Sequence, residues 1–356
     1  MKVFKTIIVG CGILGASIAY YLSKKQKDLL VVDKGYFSSG TSGATQAWVW
    51  VHTKQPGFYA QTCLDSAKMY EDLIRDLDVD FEYETSGGLS LIFDEFQLRK
   101  AKRLVDTQNQ HGITVQLLDR QEVLKKEPNI NQEILAATFF AGESSVFPMK
   151  LVQGLVQSAA NQGVTFSYYN EVLSINKLDN YKYLVNTIKG SFLAEQVVLA
   201  TGMWSRKIGQ SLGIDIPIEL IRGELMVTEP LPPLIEHIVS GIRQLKNGKL
   251  LIGYSKEYGG FNTETNIKTT VSTAKQAVKM IPRLKQVRIL RNFAGVRPIP
   301  NDGFPILGEV PDYDGLYVAV THSGYTLAPY IGKRMAELLL GYSSPIHPSY
   351  QISRFY

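Results

Sequence analysis

The chain has 356 residues, 45% hydrophobic and 20% charged, which is the balance of an ordinary soluble enzyme and too long for one simple core. Its net charge of +5 is spread without a basic block, so nothing marks it for nucleic acid, and two cysteines, Cys11 and Cys63, cannot make a disulfide framework or a metal site by themselves. No stretch approaches the roughly 20 uninterrupted apolar residues that span a bilayer, so no transmembrane segment is expected and a reducing, cytoplasmic compartment is.

The opening MKVFKTIIVGCGILGASIAYYLSKKQKDLLVVDK admits two readings. As a secretory leader, Lys2 and Lys5 would be the charged region, residues 7–19 the apolar core and ASIA the cleavage site. As a dinucleotide fold, TIIVG is a buried strand, and Gly10, Gly12 and Gly15 fall as G-x-G-x-x-G where it turns into a helix. Gly10 then makes the tight turn, Gly12 admits a pyrophosphate to the backbone, and Gly15 lets helix and strand pack closely. The free N–H groups and dipole of the helix N-terminus face the phosphates. A second apolar run, LLVV, ends in Asp33, 18 residues past Gly15, where an acid accepts the ribose hydroxyls. A leader predicts neither the second strand nor the acid, so the dinucleotide reading is preferred. Asp33 repels a 2′-phosphate but does not separate NAD from FAD.

After Asp33, KGYFSSGTSGATQAW is a small-residue loop suited to a second backbone nest, with Thr41 and Ser42 donating to phosphate. PGFYAQTCLDSAKMYEDLIRDL reads as one long helix and FEYETSGGLSLIF as paired strands. DEFQLRKAKRLVDTQNQHG and DRQEVLKKEP read as helices, the latter opening at Asp119 or Arg120 and stopped by proline. KLVQGLVQSAANQG is an amphipathic helix, and EQVVLATGMWS a buried strand ending in Ala200, Thr201 and Gly202. IRGELMVTEP, GKLLIGYSKEY and the helix TTVSTAKQAVKMIPRL form a second excursion. The tail returns with the buried strand GLYVAV and a final helix beginning near Thr326, with Pro329 in its first turn. Two β-rich insertions into one nucleotide domain account for this order better than two successive domains.

In order along nearly the whole chain, IIVGCGILGASIAYYLSK, VVDKG, GTSGA, EVLKKEPNI, VVLATGMWS, IRGELMVT, GKLLIG, AGVRPIPNDGFPILG and GLYVAVTHSGYTLAP resemble the D-amino-acid oxidase (DAO) superfamily of flavoproteins. The branch they resemble holds glycine oxidase, sarcosine oxidase and D-amino-acid dehydrogenase. The resemblance implies a mixed α/β fold, in which a Rossmann-like FAD-binding domain (residues 1–80, 145–220 and 291–356) is interrupted by a β-rich substrate domain (81–144 and 221–290), as in the DAO and glutathione-reductase-like folds. It implies that Ile13, Leu14, Asp33 and Lys34 hold the adenosine half, with Val172 as a second adenine-side contact. Thr41, Ser42, Gln46, Ala47 and Trp48 fall in the loop lining the phosphates and flavin. Ala200, Thr201, Gly202 and Trp204 close VVLATGMWS on the cofactor. His322, Ser323, Gly324, Tyr325, Thr326, Leu327 and Ala328 form the turn at the flavin ring, where a helix N-terminus favours negative charge on the reduced ring.

Arg297, in AGVRPIP beside the flavin, is the candidate for holding a substrate carboxylate bidentately. Arg243, Tyr254, Tyr258 and His52 are candidates for the pocket wall, and no side chain is named as an acid or base. Two departures qualify the resemblance. Glycine oxidases tend to carry an arginine in the turn where this chain has Gly324, and HSG-x-TLAP is more like opine and hydroxyproline dehydrogenase subunits. The lysine that sarcosine oxidases place near the flavin aligns with Leu251, and their flavin-linking cysteine has no counterpart, so non-covalent FAD is expected. The resemblance therefore implies oxidation of the C–N bond of a small amino acid (glycine, a D-amino acid or an N-alkyl glycine) to an imine that water hydrolyses, glycine oxidase-like activity leading. Two alternatives stand beside it. One is a hydroxyproline or opine dehydrogenase subunit passing electrons to a partner, with membrane association through that partner. The other is a flavin-binding tRNA-modification or assembly factor. A homo-oligomer is compatible with each.

Overall fold

The computed structural model describes residues 1–178, 183–343 and 346–356. Its first sheet forms from the short apolar runs. Lys2–Val9 pairs in parallel with Leu29–Val32 on one side and Gly190–Leu199 on the other. Thr165–Ser167 extends the sheet beyond Leu29–Val32, and Leu316–Val320 pairs in parallel with the end of Gly190–Leu199. These strands read as unbroken apolar runs because both faces are covered. Ile8 joins a core shared with the helices Ile13–Ser23, Pro148–Asn161 and Gly324–Leu339, while Ile7 and Val9 join the core on the opposite face. Parallel strands end on one edge, so residues 10, 33, 200 and 321 emerge side by side.

The second sheet carries Gly88–Ile92, Gln116–Asp119, Ala136–Phe140 and the strands between residues 218 and 258. Its longest pair is Ile218–Thr228 with Ile289–Pro300, antiparallel along almost the whole of both. The sequence reading places the chain from residue 291 onward in the cofactor domain, yet Ile289–Pro300 is zipped into this sheet. Arg297 therefore stands opposite Ile221, on the strand that leads back to the nucleotide fold.

The strands of FEYETSGGLSLIF form but do not pair with each other. Glu84–Thr85 pairs with Ser144–Ser145, which also pairs with Trp48–Val49, and Gly88–Ile92 pairs with Ala136–Phe140. Gly87, at φ +74°, turns the chain from one sheet into the other. The helix expected over residues 56–77 is divided at Met69 into Gly57–Lys68 and Tyr70–Asp76. Arg120–Lys126 opens with Asp119 as N-cap in a reciprocal capping box with Glu122.

Candidate active site

A cleft of about 700 Å³ opens along the carboxyl edge of the first sheet. Gly10, at φ +103°, takes a conformation that a side chain resists, and a Cβ there would stand 2.5 Å from the Ala200 carbonyl oxygen. A Cβ on Gly15 would collide with the Gly10 carbonyl, so strand and helix meet at backbone contact, as the spacing predicts. Asp33 is set by two amides: Oδ2 accepts from Cys11 N at 2.6 Å and Oδ1 from Gly35 N at 2.8 Å. Ile13 N donates to Ser42 Oγ at 3.0 Å, binding the small-residue loop to the helix N-terminus. Thr41, expected to donate to phosphate, instead gives its hydroxyl to the Val296 carbonyl and ties the loop to the strand of Arg297.

The residues present fit FAD. Gly10, Gly12, Ile13, Leu14, Asp33, Lys34, Thr41, Ser42, Val172, Ala200, Thr201, Gly202 and Trp204 line one continuous cleft with His322, Gly324 and Tyr325. In the loop read as flavin-lining, Gln46 Oε1 and Trp48 Nε1 are buried with no hydrogen-bond partner, which asks for a polar ligand atom. Ala47 holds φ +52° between them. Gln46 Nε2 donates to the Gly241 and Gly253 carbonyls, clamping the loop to the second sheet.

The final helix begins at Gly324, two residues before the expected start. Pro329 thus falls in the second turn, where its missing N–H leaves the Tyr325 carbonyl open. Tyr70 Oη donates to that carbonyl and repairs the gap. The helix packs tightly on Ile13–Ser23: Ser17 Oγ donates to Ala328 O at 2.7 Å, and a Cβ on Gly332 would strike Ser17. Thr326 Oγ1 accepts from Trp50 N at 3.0 Å and donates to Trp48 O at 3.2 Å. Leu327 and Ala328 are buried behind this end, so they support the turn from outside the cleft lining. With no acid in its first turn, the helix aims an uncompensated N-terminus at the cleft.

The Arg297 guanidinium lies across Gly223, where any side chain would collide with it. Its Nη2 donates to Ser255 O at 2.8 Å, and no carboxylate pairs with it among the described residues. Burial lowers its pKa, yet a guanidinium stays charged. His322 is pushed down to about 3, by desolvation first and then by the charges of Lys54, Arg297 and Lys256, and is neutral at ordinary pH.

Four residues expected at the pocket wall are placed elsewhere. His52 is fully buried and bonds Glu143 at 2.7 Å, because it anchors a turn. Arg243 is buried against the Val146 carbonyl, and burial pushes it down to about 10. Tyr254 packs against the core of the second sheet, its hydroxyl toward Met280. Tyr258 is 84% exposed at that sheet's edge. Sequence reasoning missed Phe261 and Thr263, which reach the cleft from the second sheet's excursion, and Lys54, which bonds Ser323 beside His322. The aromatic within YGGFN was the one available signal for Phe261. Nothing local marked Lys54.

Among the described residues no helix is long and apolar enough to cross a membrane, and no His, Cys, Asp and Glu group could hold a metal. Comparison with known proteins gives a consistent picture. The family model described as DAO, FAD dependent oxidoreductase, matches residues 5–338. The chain is 28% identical to a glycine oxidase of Geobacillus kaustophilus over 94% of its own length and 93% of that protein. It is 26% identical to an opine oxidase subunit of Agrobacterium tumefaciens over 90% and 89% of the two chains. The crystal structure of glycine oxidase from Geobacillus kaustophilus superposes with a TM-score of 0.94 at 25% identity, covering 99% of each chain.

Proposed function

The chain belongs to the family of FAD-dependent oxidoreductases and is an amino-acid oxidoreductase, and from that premise we propose that it oxidises the C–N bond of a small amino acid held through its carboxylate by Arg297. FAD, when bound, supplies the acceptor for the hydride leaving Cα, and the imine left on the substrate hydrolyses in water. The glycine turn, Asp33 and the Ser42 loop would hold the nucleotide half. The segment Gln46–Trp48 and the turn from His322 to Ala328 would hold the ring. The chain's own part in the chemistry is orientation and electrostatics. Two prongs of Arg297 fix the carboxylate and so choose which Cα–H faces the ring. The N-terminus of Gly324–Leu339 favours negative charge developing nearby. His322 is uncharged and takes no proton at neutral pH. The division of the chain into cofactor and substrate segments is part of this proposal, with Ile289–Pro300 shared between them.

The observation that carries the reading is the half-buried Arg297 guanidinium, with one backbone acceptor and, among the described residues, no acid paired with it. Arg297→Met should leave FAD bound and its spectrum nearly unchanged while flavin reduction by amino acids falls on the order of 100-fold to several thousandfold, since breaking a buried charge pair costs about 3–5 kcal/mol. Arg297→Lys should recover part of the rate, because an ammonium lacks the two-pronged geometry. Amines without a carboxylate should react poorly with wild type and lose little in the variant. Equal losses for both amine classes would make Arg297 structural and sink the proposal.

Likeness to the opine oxidase subunit, together with Gly324, supports a second reading, in which another polypeptide takes the electrons. Reoxidation of the substrate-reduced enzyme separates the two: rapid return of yellow colour in air favours an oxidase, and return only with an artificial acceptor favours the dehydrogenase.

A further inference from the structure

The sequence holds no run of adjacent cations, yet residues 265–301 contain eight lysines and arginines and no aspartate or glutamate. The rest of the chain is net acidic, so the molecule's positive excess comes from this one segment. Arg297 belongs to the site described above. The other seven cations are all exposed, and none of them lines the cofactor cleft.

The fold gathers them on one face. The helix Ile267–Met280 buries Thr269, Thr273 and Ala277, which leaves Lys268, Lys275 and Lys279 as an outer stripe. Ile267 and Val271, one turn apart, stand beside that stripe, the first of them 78% exposed. Pro282–Gln286 then adds Arg283 and Lys285 and leads into the strand Ile289–Pro300. Asn292 Nδ2 donates to Thr270 Oγ1 at 2.6 Å and ties that strand to the helix. From residue 294 onward the strand is covered, since Thr41 bonds the Val296 carbonyl and a Cβ on Gly295 would strike Ala44. Before that point Arg288, Ile289, Leu290 and Arg291 are exposed in succession. Residues 289–293 pair on one side with Ile218–Thr228 and, among the described residues, with no strand on the other.

Among the described residues none of the seven cations makes an ion pair. Glu229, the carboxylate that reaches this strand, accepts the Arg288 amide instead. Unpaired cations around protruding aliphatic chains match an anionic lipid surface: headgroups draw the charges, and the apolar chains enter the headgroup–acyl boundary. A nucleic acid has no use for Ile267, Val271, Ile289 and Leu290. Ile289 and Leu290 are successive in a strand and project from its opposite faces, which suits a deformable lipid layer better than one rigid partner surface.

We propose that this face binds the surface of an anionic phospholipid membrane directly, as a peripheral contact. The inference does not depend on the role given to Arg297. Seven residues of strand separate Leu290 from Arg297, roughly 24 Å, so lipid at one end leaves the site free at the other.

The FAD-loaded enzyme is sedimented with sucrose-loaded vesicles of phosphatidylcholine alone or of equal parts phosphatidylcholine and phosphatidylglycerol. At about 0.1 M salt it should bind the mixed vesicles at least about tenfold more tightly than the neutral ones, and about 1 M salt should release it. Lys275→Glu with Lys279→Glu should weaken binding about 10- to 100-fold. Ile289→Ser with Leu290→Ser should weaken it too, while leaving its salt dependence. Lys25→Glu with Lys27→Glu makes the same charge change on the nucleotide fold and should bind as wild type does. All three variants should keep the FAD content and unfolding midpoint of wild type. A wild-type enzyme that stays in the supernatant with mixed vesicles overturns the proposal without any variant having to fold. Equal binding to the two vesicle types overturns it as well, and so does a control pair that loses as much as the Lys275 and Lys279 pair. Wild type might instead ignore vesicles and self-associate in sedimentation velocity, with the Lys275 and Lys279 pair abolishing that; the face then belongs to a second copy, and the proposal falls.

Discussion

At the scale of single residues the site is prepared by backbone hydrogen bonds as much as by charge. Both Asp33 oxygens are occupied by amides, from Cys11 and Gly35, so the carboxylate is a brace between the glycine turn and the next loop, in addition to the ribose contact proposed for it. Asn in its place has one acceptor oxygen and must leave one amide unpaired. Asp33→Asn should therefore weaken FAD binding by about 1–3 kcal/mol, and lower the melting temperature of the apoprotein too. A variant that loses FAD affinity with no change in apoprotein melting would restrict Asp33 to ligand contact. The cysteines are the second case. Burial and the Asp33 charge push the Cys11 thiol well up, and burial pushes Cys63 up to about 12, so neither is a thiolate at neutral pH. The native protein should ignore a thiol reagent that both cysteines consume after denaturation, and acid should release intact FAD. Flavin that stays with the denatured chain would contradict this.

At the scale of elements, what sequence shows is whatever a few neighbouring residues determine. The strand, glycine turn, helix and acid of the opening unit, the buried run Leu316–Val320 and the helix after it were all readable, because burial on both faces writes itself as continuous apolar sequence. Partners were not. Glu84–Thr85 and Gly88–Ile92 lie almost adjacent yet join different sheets, and Ile289–Pro300 zips onto a strand some 70 residues earlier. The site divides the same way: the glycines and Asp33 were legible, whereas Lys54 is aimed by a glutamate about 90 residues away and His52 is claimed by that same carboxylate. The final helix shows what a long-range partner is worth. Tyr70→Phe should strand the Tyr325 carbonyl and cost about 1–3 kcal/mol in thermal or denaturant unfolding. In a Pro329→Ala background the restored N–H can bond that carbonyl, so the same substitution should cost much less. Equal costs in the two backgrounds would mean that Tyr70 acts by packing alone.

At the scale of the whole molecule, the two sheets meet across the cleft. Phe261, from the excursion of the second sheet, stacks on Trp204 of the nucleotide fold with centroids 4.2 Å apart and planes within 20°. The Lys34 ammonium lies over the Trp204 ring at 3.4 Å. Phe261, Trp204 and Lys34 line the same cleft as Asp33 and Val172, so the stack crosses the end assigned to the adenosine half. If the stack closes over a nucleotide bound there, it must open for the nucleotide to leave. An aromatic pair contributes about 0.5–1.5 kcal/mol beyond its buried area, so Phe261→Ala should raise the FAD dissociation rate about two- to tenfold. Trp204→Ala should raise it further, because the cation–π contact with Lys34 goes with it. The rate is read as the growth of free-flavin fluorescence after dilution, with unfolding midpoints of both apoproteins as the control. A stack that closes the cleft hinders entry as well as exit, so loss of Phe261 should speed association as well and leave equilibrium affinity less changed than the dissociation rate. An off-rate equal to wild type in both variants would show that the cleft is already open at this end, and that the contact between the sheets there serves the fold and not the cofactor.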